Sequence, residues 1–321
     1  MKRNLIIYMA ILTLGIANLV TSCSEDKLSS ESVIATPTAE QNAFDKWLEA
    51  NFVIPYNIKF MYRYEENESD FGYYTVPADM ESSIKMAHLV KYICIESYNE
   101  VGGVDFTRAY FPKEFFLIGE WEYKNNGSYI LGTAEGGKKI LLSGMNHLNE
   151  HINDIDELTY YYLKTIHHEF THILNQTQPM PTDFQFVSGD TYIGSEWSNA
   201  PYNKEAYYLG HGHISAYAQQ EDSEDFAEML SKYVCYSEAQ WNQWLADAET
   251  YSLKGDSTDT SSIIAPVEFN GRERIEEKMS IVKRYMNDVW HIDVDKLRAT
   301  IQRRESEIQA GKVDLTDLTI K

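Results

Sequence analysis

Cysteine is nearly missing from this chain: three residues in 321, at positions 23, 94 and 235, and no CxxC pair. That excludes a zinc site built from cysteines. Cys94 and Cys235 each fall in an apolar helical pattern and read as two buried free thiols, although an oxidising compartment would permit a bridge. Cations are also scarce, 28 Lys and Arg against 49 Asp and Glu, giving a formal charge of −21. Such a surface repels phosphate backbones and anionic lipid, so no nucleic-acid partner is expected. No internal repeat and no break in composition separates one fold from another. The 43% apolar and 24% charged fractions are those of a globular protein, long enough to bury a core.

The first 22 residues stand apart. Lys2 and Arg3 precede an apolar run from Leu5 to Val20, interrupted by Thr13, Gly15 and Asn18 and ending in small residues. This is the layout of a secretory signal, and the run is short for a membrane span. Val20-Thr21-Ser22-Cys23 resembles the bacterial lipobox, which implies lipidation at Cys23 and a lipoprotein signal peptide over residues 1–22. Residues 23–41 are polar and aperiodic and read as the lipidated tether. The acidic Ser24-Glu25-Asp26 resembles a surface-export signal, so the expected location is the outer membrane, cell-surface exposed, with a periplasm-facing alternative. Membrane contact is expected only through the lipid anchor.

From residue 42 to 321 one domain is expected, with a sheet-containing lobe over about 42–178 and a mainly helical lobe over about 179–321. Phe44, Trp47 and Leu48 suggest a short helix, and Ile58, Phe60 and Tyr62 an alternating strand. Pro77-Ala78-Asp79 starts a helix with Ile84, His88, Tyr92 and Ile95 at helical spacing; His88 reads as a core residue. Glu114 to Ser143 reads as strands, with Asn125-Asn126-Gly127 a turn. Residues 179–212 form a long Gly-, Ser- and aromatic-rich connection expected to line a cleft. Later helices are marked by Asp222-Ser223, by Trp241 and Trp244, by Asn270 and by Asp295, with Asp256 to Ser262 a polar loop.

The central stretch is His168-Glu169-Phe170-Thr171-His172, in a helix that starts near Asn153 or Asp154. At 100° per residue, Leu163, Ile166, Phe170, Ile173 and Leu174 share one apolar face, and His168 and His172 point away from it. Two histidines four apart present both imidazoles to one tetrahedral zinc, and the intervening glutamate is placed as general base. Asn175 and Gln178 occupy the positions where a metzincin carries its glycine and third histidine, so that class is rejected. The glutamate-ligand class instead takes its third ligand from a downstream helix, with an acid one turn later to orient the first histidine. Glu224-Asp225-Phe226-Ala227-Glu228 has that form, with Glu224 as ligand and Glu228 as the orienting acid. Glu221, Asp222 and Asp225 compete for the role and are read as solvated caps.

These two helices resemble the gluzincin metallopeptidases, including the lethal-factor-like branch. With the lipobox and Trp290-His291-Ile292-Asp293-Val294-Asp295, the chain resembles the zinc-binding metallopeptidase lipoproteins associated with substrate import. The resemblance implies an α+β, zincin-like fold: a mixed sheet with a metal-binding helix, plus a mainly helical C-terminal lobe. It implies one Zn2+ on His168, His172 and Glu224, Glu169 as base, and Tyr217, seven residues before Glu224, as a catalytic hydrogen-bond donor. His211 and His213 are alternatives for that last part. The implied substrate is a peptide or protein, with outer-membrane importer components as possible partners. Two other functions fit the motifs less well: a non-catalytic zincin-fold binding lipoprotein, which has no use for Glu169, and a zinc hydrolase of non-peptide amides.

Overall fold

Asn42 opens the first helix through a reciprocal cap: its side chain accepts from Asp45 N at 2.8 Å and Asp45 accepts from Asn42 N at 2.9 Å. The computed structural model describes residues 40–66, 72–73, 75–123, 129–135, 138–254 and 270–320. The expected signal peptide, Cys23, the Asn125-Asn126-Gly127 turn and the loop at 256–262 lie outside the described residues. Helix α1 covers residues 43–56 and stops at Asn57, whose left-handed φ of 54° ends the turn. Strand β1 follows at Lys59–Met61.

Helix α2 (residues 80–102) starts at Asp79, whose side chain caps Ser82 N at 2.8 Å. Its middle turn, Val90–Ile95, is widened to π geometry. The buried residues include Met86, Ala87, His88, Leu89, Val90, Ile93, Cys94 and Ile95, so His88 and Ile95 enter the core as their spacing suggests, while Ile84 and Tyr92 are only partly covered. His88 is buried against the Trp47 ring, 4.2 Å between centroids, as a core residue. Helix α3 is Val104–Tyr110.

Strands β2 (Glu114–Leu117), β3 (Glu122–Tyr123), β4 (Tyr129–Ile130), β5 (Gly132–Glu135) and β6 (Lys139–Leu142) follow. The main sheet has the order β1-β2-β6-β5; β1, β2 and β6 are parallel, and the edge strand β5 runs antiparallel to β6. β3 and β4 form a separate antiparallel pair. Parallel strands are covered on both faces and read as continuous apolar runs, as Phe115, Phe116 and Leu117 do at 0% exposure. The expected in–out alternation of β1 therefore fails at Met61, which is buried with Phe116, Ile118 and Leu141 on the second face.

After the short α4 (Leu148–His151), Asp154 caps helix α5 (residues 155–177), the central helix. The turn Thr159–Leu163 is again π, and regular α geometry resumes at Lys164. Gly132 explains how β5 lies so close to α5: a Cβ there would sit 2.7 Å from Thr165 Cγ2 and 2.5 Å from the Leu141 carbonyl. Two short helices, α6 (Phe184–Val187) and α7 (Glu205–Gly210), lie in the long stretch expected to line a cleft. Then come α8 (Asp222–Cys235), α9 (Glu238–Lys254), α10 (Gly271–Trp290) and α11 (Val294–Gln309). The cap of α11 is Asp293 rather than Asp295, and Glu221 rather than Asp222 holds the N-cap position of α8.

Residues 42–321 form one compact unit with a main core running from Phe44 to Ile308. Its last helix returns to α2, where Arg304 contacts Glu96 at 2.9 Å and Glu100 at 3.1 Å. The class is α+β, with a small mixed sheet and many helices. Cys94 and Cys235 are buried and unbridged. Among the described residues no helix is long and apolar enough to cross a membrane.

Candidate metal centre

Helix α5 is amphipathic, but both of its faces are covered. Ile166, Phe170 and Leu174 enter the core at 0% exposure, while α8 lies antiparallel across the other side. That packing places Glu224 opposite His168 and His172, 52 residues on from His172. Glu224 Oε2 lies 2.9 Å from His168 Nε2 and 3.1 Å from His172 Nε2, and the two Nε2 atoms are 3.0 Å apart. The three donor atoms make a nearly equilateral triangle. Among the described residues this is the one set of three ligand-type side chains whose donor atoms converge within 4.8 Å.

The electrostatics match that convergence. Burial acts to raise the Glu224 carboxyl pKa, but hydrogen bonds from His168 and His172 outweigh it and hold the group far below the usual range. Burial works against a charged His168, yet Glu224 and Glu228 overcome it and raise the ring to about 9. Two imidazoles and a carboxylate are ligands of a catalytic zinc, and a tetrahedral ion with bonds of about 2.0 Å requires donors about 3.3 Å apart. Separations of 2.9–3.1 Å fit after a small expansion.

Around the triangle stand the other expected residues. Glu228, one turn further along α8, has a side chain 1% exposed, and its Oε1 is 2.9 Å from His168 Nδ1. The same oxygen accepts from Lys164 Nζ at 2.7 Å, and Oε2 accepts from Ser215 Oγ at 2.7 Å. Glu169 is 8% exposed, and its charge acts on both His168 and Tyr217. Tyr217 begins the short 3-10 turn Tyr217–Gln219, with its ring 5.9 Å from the His168 ring and its phenol within the field of Glu224. Burial first, then Glu224, Glu169 and Glu228, push that phenol well above its usual range. Trp197, from the long connection, packs edge-on against it at 5.1 Å.

The family model described as "Putative zinc-binding metallo-peptidase" matches residues 37–295. The chain belongs to this family. A solved structure, that of "a putative zinc-binding metallo-peptidase" from Bacteroides caccae ATCC 43185, is 39% identical to it. The match covers 86% of this chain and 96% of that one, with a TM-score of 0.69. No curated protein matches the chain.

Several residues near the triangle stand differently from expectation. Asp225 is not a solvated cap. It is fully buried, with Lys278 Nζ at 2.6 Å, Tyr192 Oη at 3.0 Å and His213 Nδ1 at 3.2 Å. Glu221 is the exposed member of the acidic run. His213 is held by Asp225 and by Thr191 Oγ1 at 2.8 Å, and burial lowers it to about 4. His211 stacks on Tyr207 at 4.0 Å and contacts that residue's carbonyl at 2.7 Å. Both histidines are thus engaged away from the triangle. A cavity of about 740 Å³ opens beside the first turn of α8 and is lined by Gln185, Phe186, Tyr192 and Arg274 among others; no member of the triangle lines it.

Lys164, Ser215 and Lys278 were not anticipated. Lys278 carried a signal: it sits within the apolar stripe of Ile275, Met279 and Val282, where a lysine needs a buried partner. Lys164 lies one turn before His168, a spacing visible in the sequence but mute until Glu228 faces it.

Proposed function

We propose that the chain is a gluzincin-type, zincin-fold metallopeptidase that hydrolyses peptide bonds, with His168, His172 and Glu224 holding one zinc ion. The observation that carries this is the triangle of donor atoms at 2.9–3.1 Å with Glu169 beside it. Zinc bound there would polarise the scissile carbonyl and lower the pKa of a water molecule toward about 7. Glu169 takes the proton of the attacking water and returns it to the leaving amine. Tyr217 stays protonated across the neutral range, because burial and the surrounding carboxylates raise its pKa, and donates a hydrogen bond to the developing oxyanion. Glu228 lies 2.9 Å from His168 Nδ1, a contact that directs the other nitrogen, Nε2, to the metal.

The signal layout and lipobox support a location at the outer-membrane surface, with Cys23 as lipid anchor and residues 23–41 as tether. There the enzyme would trim peptides or proteins for a neighbouring importer. The test is digestion of a peptide library by wild type and by Glu169→Gln. Wild type should give defined cleavage products, and the variant should be about 10²- to 10⁴-fold slower. Identical rates and products, or no cleavage by wild type, would count against catalysis and favour a binding role.

A further inference from the structure

Five side chains form a ladder between α5 and α8, each rung reaching across to the opposite helix. Lys164, His168 and His172 rise from α5 at successive turns, and Glu228 and Glu224 descend α8 at the same interval. In order, Lys164 meets Glu228 at 2.7 Å, Glu228 meets His168 at 2.9 Å, His168 meets Glu224 at 2.9 Å, and Glu224 meets His172 at 3.1 Å. Four of these five belong to the metal centre as proposed above. Lys164 is the fifth, and it stands at the point where α5 leaves its π turn and regains i, i+4 spacing.

We infer that Lys164 is a positioning residue of the metal centre, anchoring Glu228 so that Glu228 in turn fixes the ring of His168. The inference rests on the metallopeptidase reading of the site. Lys164 and His168 converge on one oxygen, Glu228 Oε1, while Ser215 occupies Oε2. Glu228 therefore has no rotational freedom while all three contacts persist. Its side chain is 1% exposed, so water does not compensate a lost partner. Lys164 is itself 17% exposed, which makes it a partly enclosed contact rather than a surface pair. Without the ammonium, the buried carboxylate keeps one fewer contact on Oε1 and can turn toward Ser215, which draws it away from its 2.9 Å approach to the His168 ring. Groups that orient a metal-binding histidine in this way typically contribute 10- to 100-fold to metal affinity.

The experiment is zinc titration against a chromophoric chelator for wild type, Lys164→Met and Lys164→Arg, with the visible spectrum of each cobalt-loaded protein and the melting temperature of each metal-free one. Lys164→Met should bind zinc about 10- to 100-fold more weakly and shift the cobalt bands, and Lys164→Arg should restore most of both. Lys164→Gln, which keeps a donor without the charge, serves the same purpose should the methionine variant not fold. A variant that binds zinc as tightly as wild type with an unchanged cobalt spectrum, whatever its melting temperature, refutes the positioning role and leaves the metallopeptidase reading intact. A wild-type protein that binds no zinc refutes both.

Discussion

Lys278→Met strips its cation from a carboxylate that is wholly enclosed. Asp225 and Lys278 are both at 0% exposure and meet at 2.6 Å. Breaking a buried pair from one side costs about 3–5 kcal/mol, because the remaining charge stays desolvated. Asp225 keeps Tyr192 at 3.0 Å and His213 at 3.2 Å, so the lower end, about 3 kcal/mol, is expected. For a domain of this size that is a drop of roughly 6–12 °C in melting temperature. The assay is thermal unfolding of the metal-free protein at neutral pH, followed by circular dichroism. Adding Asp225→Leu to Lys278→Met removes both charges and should recover at least half of the loss, since apolar replacement of a buried pair is often neutral. Salt should alter the difference little, because the pair is shielded from the screening solution. The reasoning fails if Lys278→Met melts within about 2 °C of wild type, a change smaller than any buried charge allows. It fails equally if the double variant is less stable than Lys278→Met alone.

Two further outcomes follow from the electrostatics. Tyr217→Phe should lower kcat about 10²- to 10³-fold, with KM and zinc content nearly unchanged, because its hydrogen bond forms to charge that develops only during reaction; stopped assays on a cleaved peptide and metal analysis check both. The metal-free protein should lose stability in both directions from a plateau between about pH 4 and 6.5. On the acid side, Asp45 is held down at about 2, chiefly by its bond to Arg63, so its contribution is full above its ordinary range and lost as pH falls through that value. On the alkaline side, His168 is raised to about 9, so its contribution is full below about 6.5 and lost as pH rises through 9. Denaturant midpoints across pH check the shape.

Much of the centre was legible because it depends on local spacing. Asp154 caps α5 as its side chain announces, and Ile166, Phe170 and Leu174 enter the core as the 3.6-residue period requires. The i, i+4 pair of histidines and the later i, i+4 pair of glutamates face one another across two helices, as their spacing allows. Less was legible where long-range contact decides. Asp225 looked like any acid in a first turn, and only Lys278, 53 residues later, makes it a core group. Strand β5 is four residues with a leading glycine; its identity comes from pairing with β6 and from its approach to Thr165. The π turns at Val90–Ile95 and Thr159–Leu163 have no periodic signature in the sequence, and Tyr92, inside the first of them, is only partly covered. Helices α6 and α7 are too short to display a period.

The most direct test of the central claim is the zinc stoichiometry of the purified protein, measured by elemental analysis after dialysis against buffer with trace zinc, for wild type and for His172→Ala. The convergence of His168, His172 and Glu224 predicts one zinc per wild-type chain and a loss of tight binding in the variant. A wild-type chain without zinc, or a His172→Ala chain that retains it with equal affinity, would contradict the metal centre.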